Sequence, residues 1–509
     1  MMNDLQKSDC CEVAMSAANE IDGSIEESQE RRRQAKGNTG EVHTRRTQSR
    51  GSVSQGLDCV RERAKAKKKE RFTALLHLID PDRLRVSYFA LKRDAAPGVD
   101  GVTWEQYGQS LEKNLVDLHG RIHRGAYRAT ASKRQYIPKS DGRKRPLGIA
   151  AIEDKIAQRA VVEVLNAIYE QDFLGFSYGF RPGRSQHDAL DALAAGITQT
   201  KVNWIVDADI QCFFDSVSHE WLMRFVEHRV GDPRLLRLIA KWLKAGVMEE
   251  GTLTINERGT PQGAVASPLL ANIYLHYVFD LWAERWRKRC ARGSMIVVRY
   301  ADDIVCGFEH EVEARRFMAQ LKERLEQFDL TMHEQKTRLL QFGRFAAQKR
   351  AKRDVGKPET FNFLGFTHIC GRARSGAFQL KRKTRSDRMR AKLKDIKEGL
   401  RRKMHESFAV QGQWLQRVYR GYCAYHAVPT NLTQLRVFRY HIVVCWWRLL
   451  RRRSQKDRTK WATMIRVADR WLPTPRVLHP WPDSRFLVKH PRWEPSARIA
   501  PARFCAGGE

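Results

Sequence analysis

Two stretches of this chain carry residues that could do chemistry together. In MIVVRYADDIVCGF (295–308), Asp302 and Asp303 stand side by side between apolar strand-formers. In VNWIVDADIQCFFDS (202–216), Asp207, Asp209 and Asp215 interrupt a second apolar run that begins near Trp204. Adjacent carboxylates repel, and burying them unpaired costs several kcal/mol, so something cationic must lie beside them. Lysine or arginine partners are one answer. A divalent metal is a better one, because hard carboxylate oxygens suit Mg²⁺. Two strands that each carry aspartate can converge on a pair of metal ions about 3.5–4 Å apart, the arrangement used for in-line phosphoryl transfer. A lone Asp-Asp turn is also ordinary surface punctuation. The apolar flanks and the second acidic strand weigh against that reading.

These carboxylates act together only if the chain makes their strands neighbours. MIVVRY and IVCGF read as two short strands joined tightly by ADD. A period of two puts Asp207 and Asp209 on one face of their strand. Helical patterns surround them. In EDKIAQRAVVEVLNAIYEQ (153–171), Ile156, Ala160, Val161, Val164, Leu165 and Ile168 share a face. In DPRLLRLIAKWLKAG (232–246), Asp232 suits an N-cap, Pro233 the first helical position and Gly246 the stop. Residues 312–328 repeat the amphipathic pattern through Phe317, Leu321, Leu325 and Phe328. Alternating helix and strand over 60–370 indicate a mixed α/β or α+β domain. From about 380 the strand signals fade into basic helices, DRMRAKLKDIKEGLRRKM and LRVFRYHIVVCWWRLLRRR. Residues 1–56 are polar and Gly/Ser-dotted, the composition of a disordered arm.

Composition narrows the partner. The 509 residues carry 92 Lys+Arg against 58 Asp+Glu, a formal net charge of +34. Such an excess repels itself, and a polyanion relieves it. No apolar run approaches the roughly 18 residues of a spanning helix, and no N-terminal apolar signal core is present. Arginine interleaved with Trp and Tyr in the last third suits RNA better than lipid. The ten cysteines include no CxxC pair, so no zinc ribbon is expected and a reducing, intracellular setting is. Pattern and composition together indicate a metal-dependent enzyme acting on nucleic acid.

The order of longer motifs goes further. AAPGVDGVTW (95–104), YIPKSDGRKRPLGI (136–149), SYGFRPGRSQHDAL (177–190), DIQCFFD (209–215), RGTPQGAVASPLLANIYL (258–275), YADD (300–303), EQKTRLL (334–340) and FNFLGF (361–366) together resemble the group II intron-encoded reverse transcriptase–maturases. The resemblance runs from about residue 60 to 485. It implies an α+β right-hand polymerase, with fingers and an antiparallel palm sheet over 57–378 and a helical thumb and maturase region over 379–485. The arm over 1–56 and a short tail over 486–509 flank them. The tail has no paired cysteines or HNH-like pattern, so the endonuclease-lacking, bacterial type is expected.

The implied activity is RNA-directed DNA synthesis with two Mg²⁺ ions. It is coupled to binding the host intron RNA, assisting its splicing, and copying it at a DNA target from a DNA primer and dNTPs. The implied setting is the bacterial cytoplasm, near the nucleoid, with no membrane partner. On the family pattern, Asp209, Asp302 and Asp303 are catalytic metal ligands, and the Ile210 carbonyl helps hold the nucleotide's metal. Asp207 and Asp215 are not expected to bind metal. Lys139 and Arg145 would grip the triphosphate, since Lys offers a point charge and Arg a bidentate fork. One of Phe213 and Phe214 would exclude a ribose 2′-hydroxyl while the other packs in the core; which does which stays open. Gln262 would line the nucleotide pocket, and Lys336 would face the primer or the triphosphate. Arg181 and Arg184 would either contact the template or brace the fold. Arg417, Arg420, Arg448, Arg451, Arg452 and Arg453 would form a basic face for intron RNA. Two rival readings are a splicing cofactor without polymerase activity and a domesticated reverse transcriptase with a cellular defence role.

Overall fold

The computed structural model describes residues 55–138, 144–249, 251–254, 258–260, 262–453 and 459–489. Nearly all of the expected N-terminal arm and tail, and Lys139, lie outside them.

The described strands in chain order are β1 (Ser132–Pro138), β2 (Lys144–Ile149), β3 (Trp204–Ala208), β4 (Val247–Glu249), β5 (Thr252–Thr254), β6 (Met295–Tyr300), β7 (Asp303–Phe308), β8 (Arg338–Gln341), β9 (Phe361–Phe363), β10 (Phe366–Arg372) and β11 (Phe378–Thr384). They form three sheets, ordered β2-β1-β4-β5, β6-β7-β3-β8 and β11-β10-β9. The central sheet is antiparallel throughout. It places the acidic strand β3 directly beside β7, with Ala208 opposite Ile304.

Both faces of this sheet are buried, which is why β3, β6 and β7 read as largely apolar runs. Val206, Ala208, Val297, Ile304, Cys306 and Phe308 face a core shared with helices Ser267–Leu275 and Glu311–Glu326. Ile205, Val298, Tyr300 and Val305 face a second core shared with helix Gln186–Gln199 and the β9–β11 sheet. The alternation along each strand divides the two sets. Helices Ser267–Leu275 and Leu281–Arg289 are joined through a π-helical turn at His276–Asp280.

Beyond β11 the chain is helical. Ser386–Arg402, Phe408–His426, Leu432–Arg453 and Trp461–Trp471 close a third core around Ile396, Leu415, Tyr419, Phe438, Trp446 and Met464. The all-helical region starts at Ser386 rather than 379, because β11 runs to Thr384. Helix Pro482–Lys489, which crosses the expected boundary at 485, returns to the central domain. There Gln199 Nε2 donates to Asp483 at 2.9 Å, and Arg485 pairs with Asp191. No helix among the described residues is long and apolar enough to cross a membrane.

Candidate active site

The site is built at one end of the central sheet. β6 and β7 form a hairpin in which Tyr300 pairs with Asp303, leaving Ala301 and Asp302 as the turn. Ala301 takes a left-handed φ of 54°. This tight reversal brings Asp302 and Asp303 to the end of β3, where Asp209 follows the strand. All three are buried, at 2%, 7% and 2% exposure for Asp302, Asp303 and Asp209.

Burial first, then the charges of Asp303 and Asp209, push the Asp302 carboxyl above the usual carboxylate range. Its Oδ1 is buried without a hydrogen-bond partner. Asp209 is differently placed, with Lys336 Nζ 3.0 Å from its Oδ2. Lys336 reaches it because the segment after helix Glu311–Glu326 runs back along this edge: His333 N donates to the Asp209 carbonyl at 2.8 Å. Asp207, wholly buried, faces Arg338 at 3.8 Å on β8. Among the described residues, no three or more His, Cys, Asp and Glu side chains already stand as a metal cage. The three carboxylates are neighbours whose charge is partly met by Lys336.

Arg145 enters from the β1–β2 hairpin. It is 4% exposed, its Nε and Nη2 have no hydrogen-bond partner, and its charge is felt at Asp302. A buried guanidinium with free donors next to carboxylates with a free oxygen marks a place for a ligand carrying both an anionic part and a cation. Gln262 stands beside this hairpin. Its carbonyl accepts from Gly148 N at 2.6 Å, and Gly263, at a φ of 103°, leaves room for the Gly148 carbonyl.

Phe213 and Phe214 open the short helix Phe213–Ser216, entered through Cys212 at a φ of 45°. Both are buried, and Phe213 stacks edgewise on Tyr274 inside the first core. Ile210 bridges to Met332. FNFLGF forms the turn from β9 to β10, with Leu364 and Gly365 at φ of 45° and 77°.

Arg181 is 7% exposed. It bonds Glu170 and the carbonyls of Leu174 and Ser177, so its guanidinium is spent inside the fold. Arg184 donates to the Gly175 carbonyl and lies over the Tyr178 ring. Arg417, Arg420, Arg448, Arg451, Arg452 and Arg453 are all exposed, on helices Phe408–His426 and Leu432–Arg453, away from the carboxylates in sequence.

Sequence reasoning missed the groups that hold the site. Arg299, Asp280, Asn272 and Ser177 form a buried polar set behind the Ala301–Asp302 turn. A charged residue inside the apolar run MIVVRY was the available signal.

Residues 137–368 match the family described as Reverse transcriptase (RNA-dependent DNA polymerase). The chain is 38% identical over 253 residues to Protein YkfC of Escherichia coli (strain K12), covering 43% of this chain and 66% of that one. It is 36% identical over 209 residues to the Group II intron-encoded protein LtrA of Lactococcus lactis subsp. cremoris, covering 41% and 35%. It is 28% identical over 235 residues to the Retron Mx162 reverse transcriptase of Myxococcus xanthus, covering 44% and 46%. The chain therefore spans between 35% and 66% of the length of these relatives.

Proposed function

We infer the chemistry from one premise: the chain belongs to the reverse transcriptase family, with group II intron-encoded proteins among its relatives. It is an RNA-directed DNA polymerase that binds its host intron RNA, assists splicing and copies the intron at a DNA target. The observation that carries the polymerase reading is the proximity of Asp302, with its unpartnered buried oxygen, to Arg145, with its unpartnered donors.

An all-oxygen donor set with a free buried carboxylate oxygen fits Mg²⁺. Asp209, Asp302, Asp303 and the Ile210 carbonyl would hold two ions. When bound, the ions activate the primer 3′-hydroxyl and neutralise charge at the α-phosphate and the departing pyrophosphate. Asp209 would hold a cation in place of Lys336, whose ammonium, now 3.0 Å from the carboxylate, would then be available to triphosphate oxygens. Arg145 grips the triphosphate with its two idle nitrogens, and the sequence motif gives Lys139 the same role. Phe214 stands under the sugar, a role supported by the engagement of Phe213 with Tyr274 in the core. Gln262 lines the pocket. The exposed arginines of the two long C-terminal helices form the intron-RNA face, over a thumb and maturase region that follows the fingers and palm. The proposed place of work is the bacterial cytoplasm, beside the nucleic acid being copied.

Primer extension on an RNA template, with dNTP and Mg²⁺ varied separately, tests this. Arg145→Lys keeps charge but loses the fork. It should raise the dNTP KM at least 10-fold while RNA affinity holds. An unchanged dNTP KM would remove Arg145 from the triphosphate site.

A further inference from the structure

The turn that carries Asp302 does not hold itself. Ala301 is a non-glycine residue at positive φ, a conformation that costs roughly 1 kcal/mol and persists only where the surroundings fix it. Those surroundings centre on Arg299, which is wholly buried.

All five N–H groups of that guanidinium have acceptors. Nε and Nη2 donate to the two Asp280 oxygens at 2.7 and 2.6 Å. Nη2 also donates to Ser177 Oγ at 2.7 Å. Nη1 donates to Asn272 Oδ1 at 3.1 Å and to the Ala301 carbonyl at 2.9 Å. That carbonyl belongs to the peptide plane preceding Asp302, so its orientation sets where the Asp302 side chain starts.

The same residues pin the turn from the other side. Asn272 Nδ2 donates to the Gly179 carbonyl at 2.7 Å, and a Cβ on Gly179 would collide with the Ala301 backbone nitrogen. Arg299 N and O exchange backbone bonds with Phe176 and Tyr178, both at 2.9 Å. Asp280 ends the π-helical turn, which shifts the register of the helix and aims the carboxylate at β6.

Filling this space with apolar side chains would be cheaper than burying an ion pair. What the ion pair adds is direction: a planar fork tied to Asp280 can fix a carbonyl that a lysine, with three donors and no plane, cannot.

We propose that Arg299, held by Asp280, Asn272 and Ser177, is the positioning residue of the Ala301–Asp302 turn and sets the geometry in which Asp302 and Asp303 receive a divalent cation. The inference rests on the metal reading above. Its test therefore uses Mn²⁺ binding, followed by loss of the free-ion paramagnetic resonance signal, alongside primer extension, RNA affinity and thermal unfolding. Arg299→Lys should weaken Mn²⁺ binding and lower kcat, each by about 10–100-fold, with dNTP KM and RNA affinity changed less than about 3-fold. Ser177→Ala removes one of the five bonds and leaves the ion pair. It should shift Mn²⁺ affinity and kcat in the same direction by a smaller factor, and keeps the test usable if Arg299→Lys does not fold. Wild-type Mn²⁺ affinity and kcat in a folded Arg299→Lys, or in Ser177→Ala if only that variant folds, would overturn the proposal. Equal Mn²⁺ binding by the wild type and Asp302→Asn would instead show that the metal reading itself had failed.

Discussion

At the scale of single residues, the site is a balance of charges left deliberately incomplete. Lys336 meets Asp209, but Asp302 Oδ1 and two nitrogens of Arg145 stay unpartnered in buried surroundings. The carboxylates were legible in the sequence because apolar flanks and a second acidic strand weigh against surface punctuation, the ordinary reading of an Asp-Asp turn. Their supports were not. Arg299 and Ser177 lie 122 positions apart, and Lys336 reaches Asp209 from a distant segment. No local pattern encodes such contacts. The two phenylalanines illustrate the same limit, since only packing separates them. Phe213→Ala should lower unfolding free energy by about 3 kcal/mol, as expected for emptying a core aromatic site, and leave the rNTP/dNTP ratio unchanged. Phe214→Ala should raise rNTP incorporation at least 10-fold. Competitive extension assays and denaturant melts would separate the two, and an exchange of these outcomes would assign the gate to Phe213.

At the scale of elements, the hairpin of β6 and β7 and helix Pro233–Lys244 follow the sequence closely. Strong periodicity and an explicit cap leave little choice. The β9–β11 sheet was harder to read. In β11 the inward face runs Phe378, Leu380, Arg382, Thr384, so only its first half is apolar. Its burial depends on Asp191, which accepts from Arg382 at 3.1 Å across 191 residues. The π-helical turn at His276–Asp280 likewise left no mark in the periodicity. Asp232 shows an element-level role larger than its local one. Besides capping its own helix through Arg234 N and Leu235 N, it accepts from Leu75 N and Leu76 N, both at 2.9 Å. Asp232→Ala orphans donors at two elements. It should cost about 2–4 kcal/mol, more than the roughly 1 kcal/mol of an ordinary cap, by equilibrium unfolding. A loss near 1 kcal/mol would show that the contacts to Leu75 and Leu76 contribute nothing.

At the scale of the whole molecule, the charge of +34 and the placing of the carboxylates and the C-terminal arginines around different cores are the main features. The carboxylates sit in the central sheet, whereas the exposed arginines lie on helices around a different core. Helix Pro482–Lys489 ties the end of the described chain back to helix Gln186–Gln199 through Asp191 and Asp483. This modularity is the central claim, and one variant tests it most directly. Asp302→Asn keeps size and removes one charge from the carboxylate cluster, which should eliminate transition-state stabilisation but not RNA binding. The measurement is a paired assay on one preparation: primer extension, and intron splicing at low Mg²⁺ with RNA affinity alongside. The account predicts cDNA synthesis reduced at least 1,000-fold, with splicing and RNA affinity within about 2-fold of wild type. Near wild-type extension, or loss of splicing by a folded, RNA-bound variant, would contradict it.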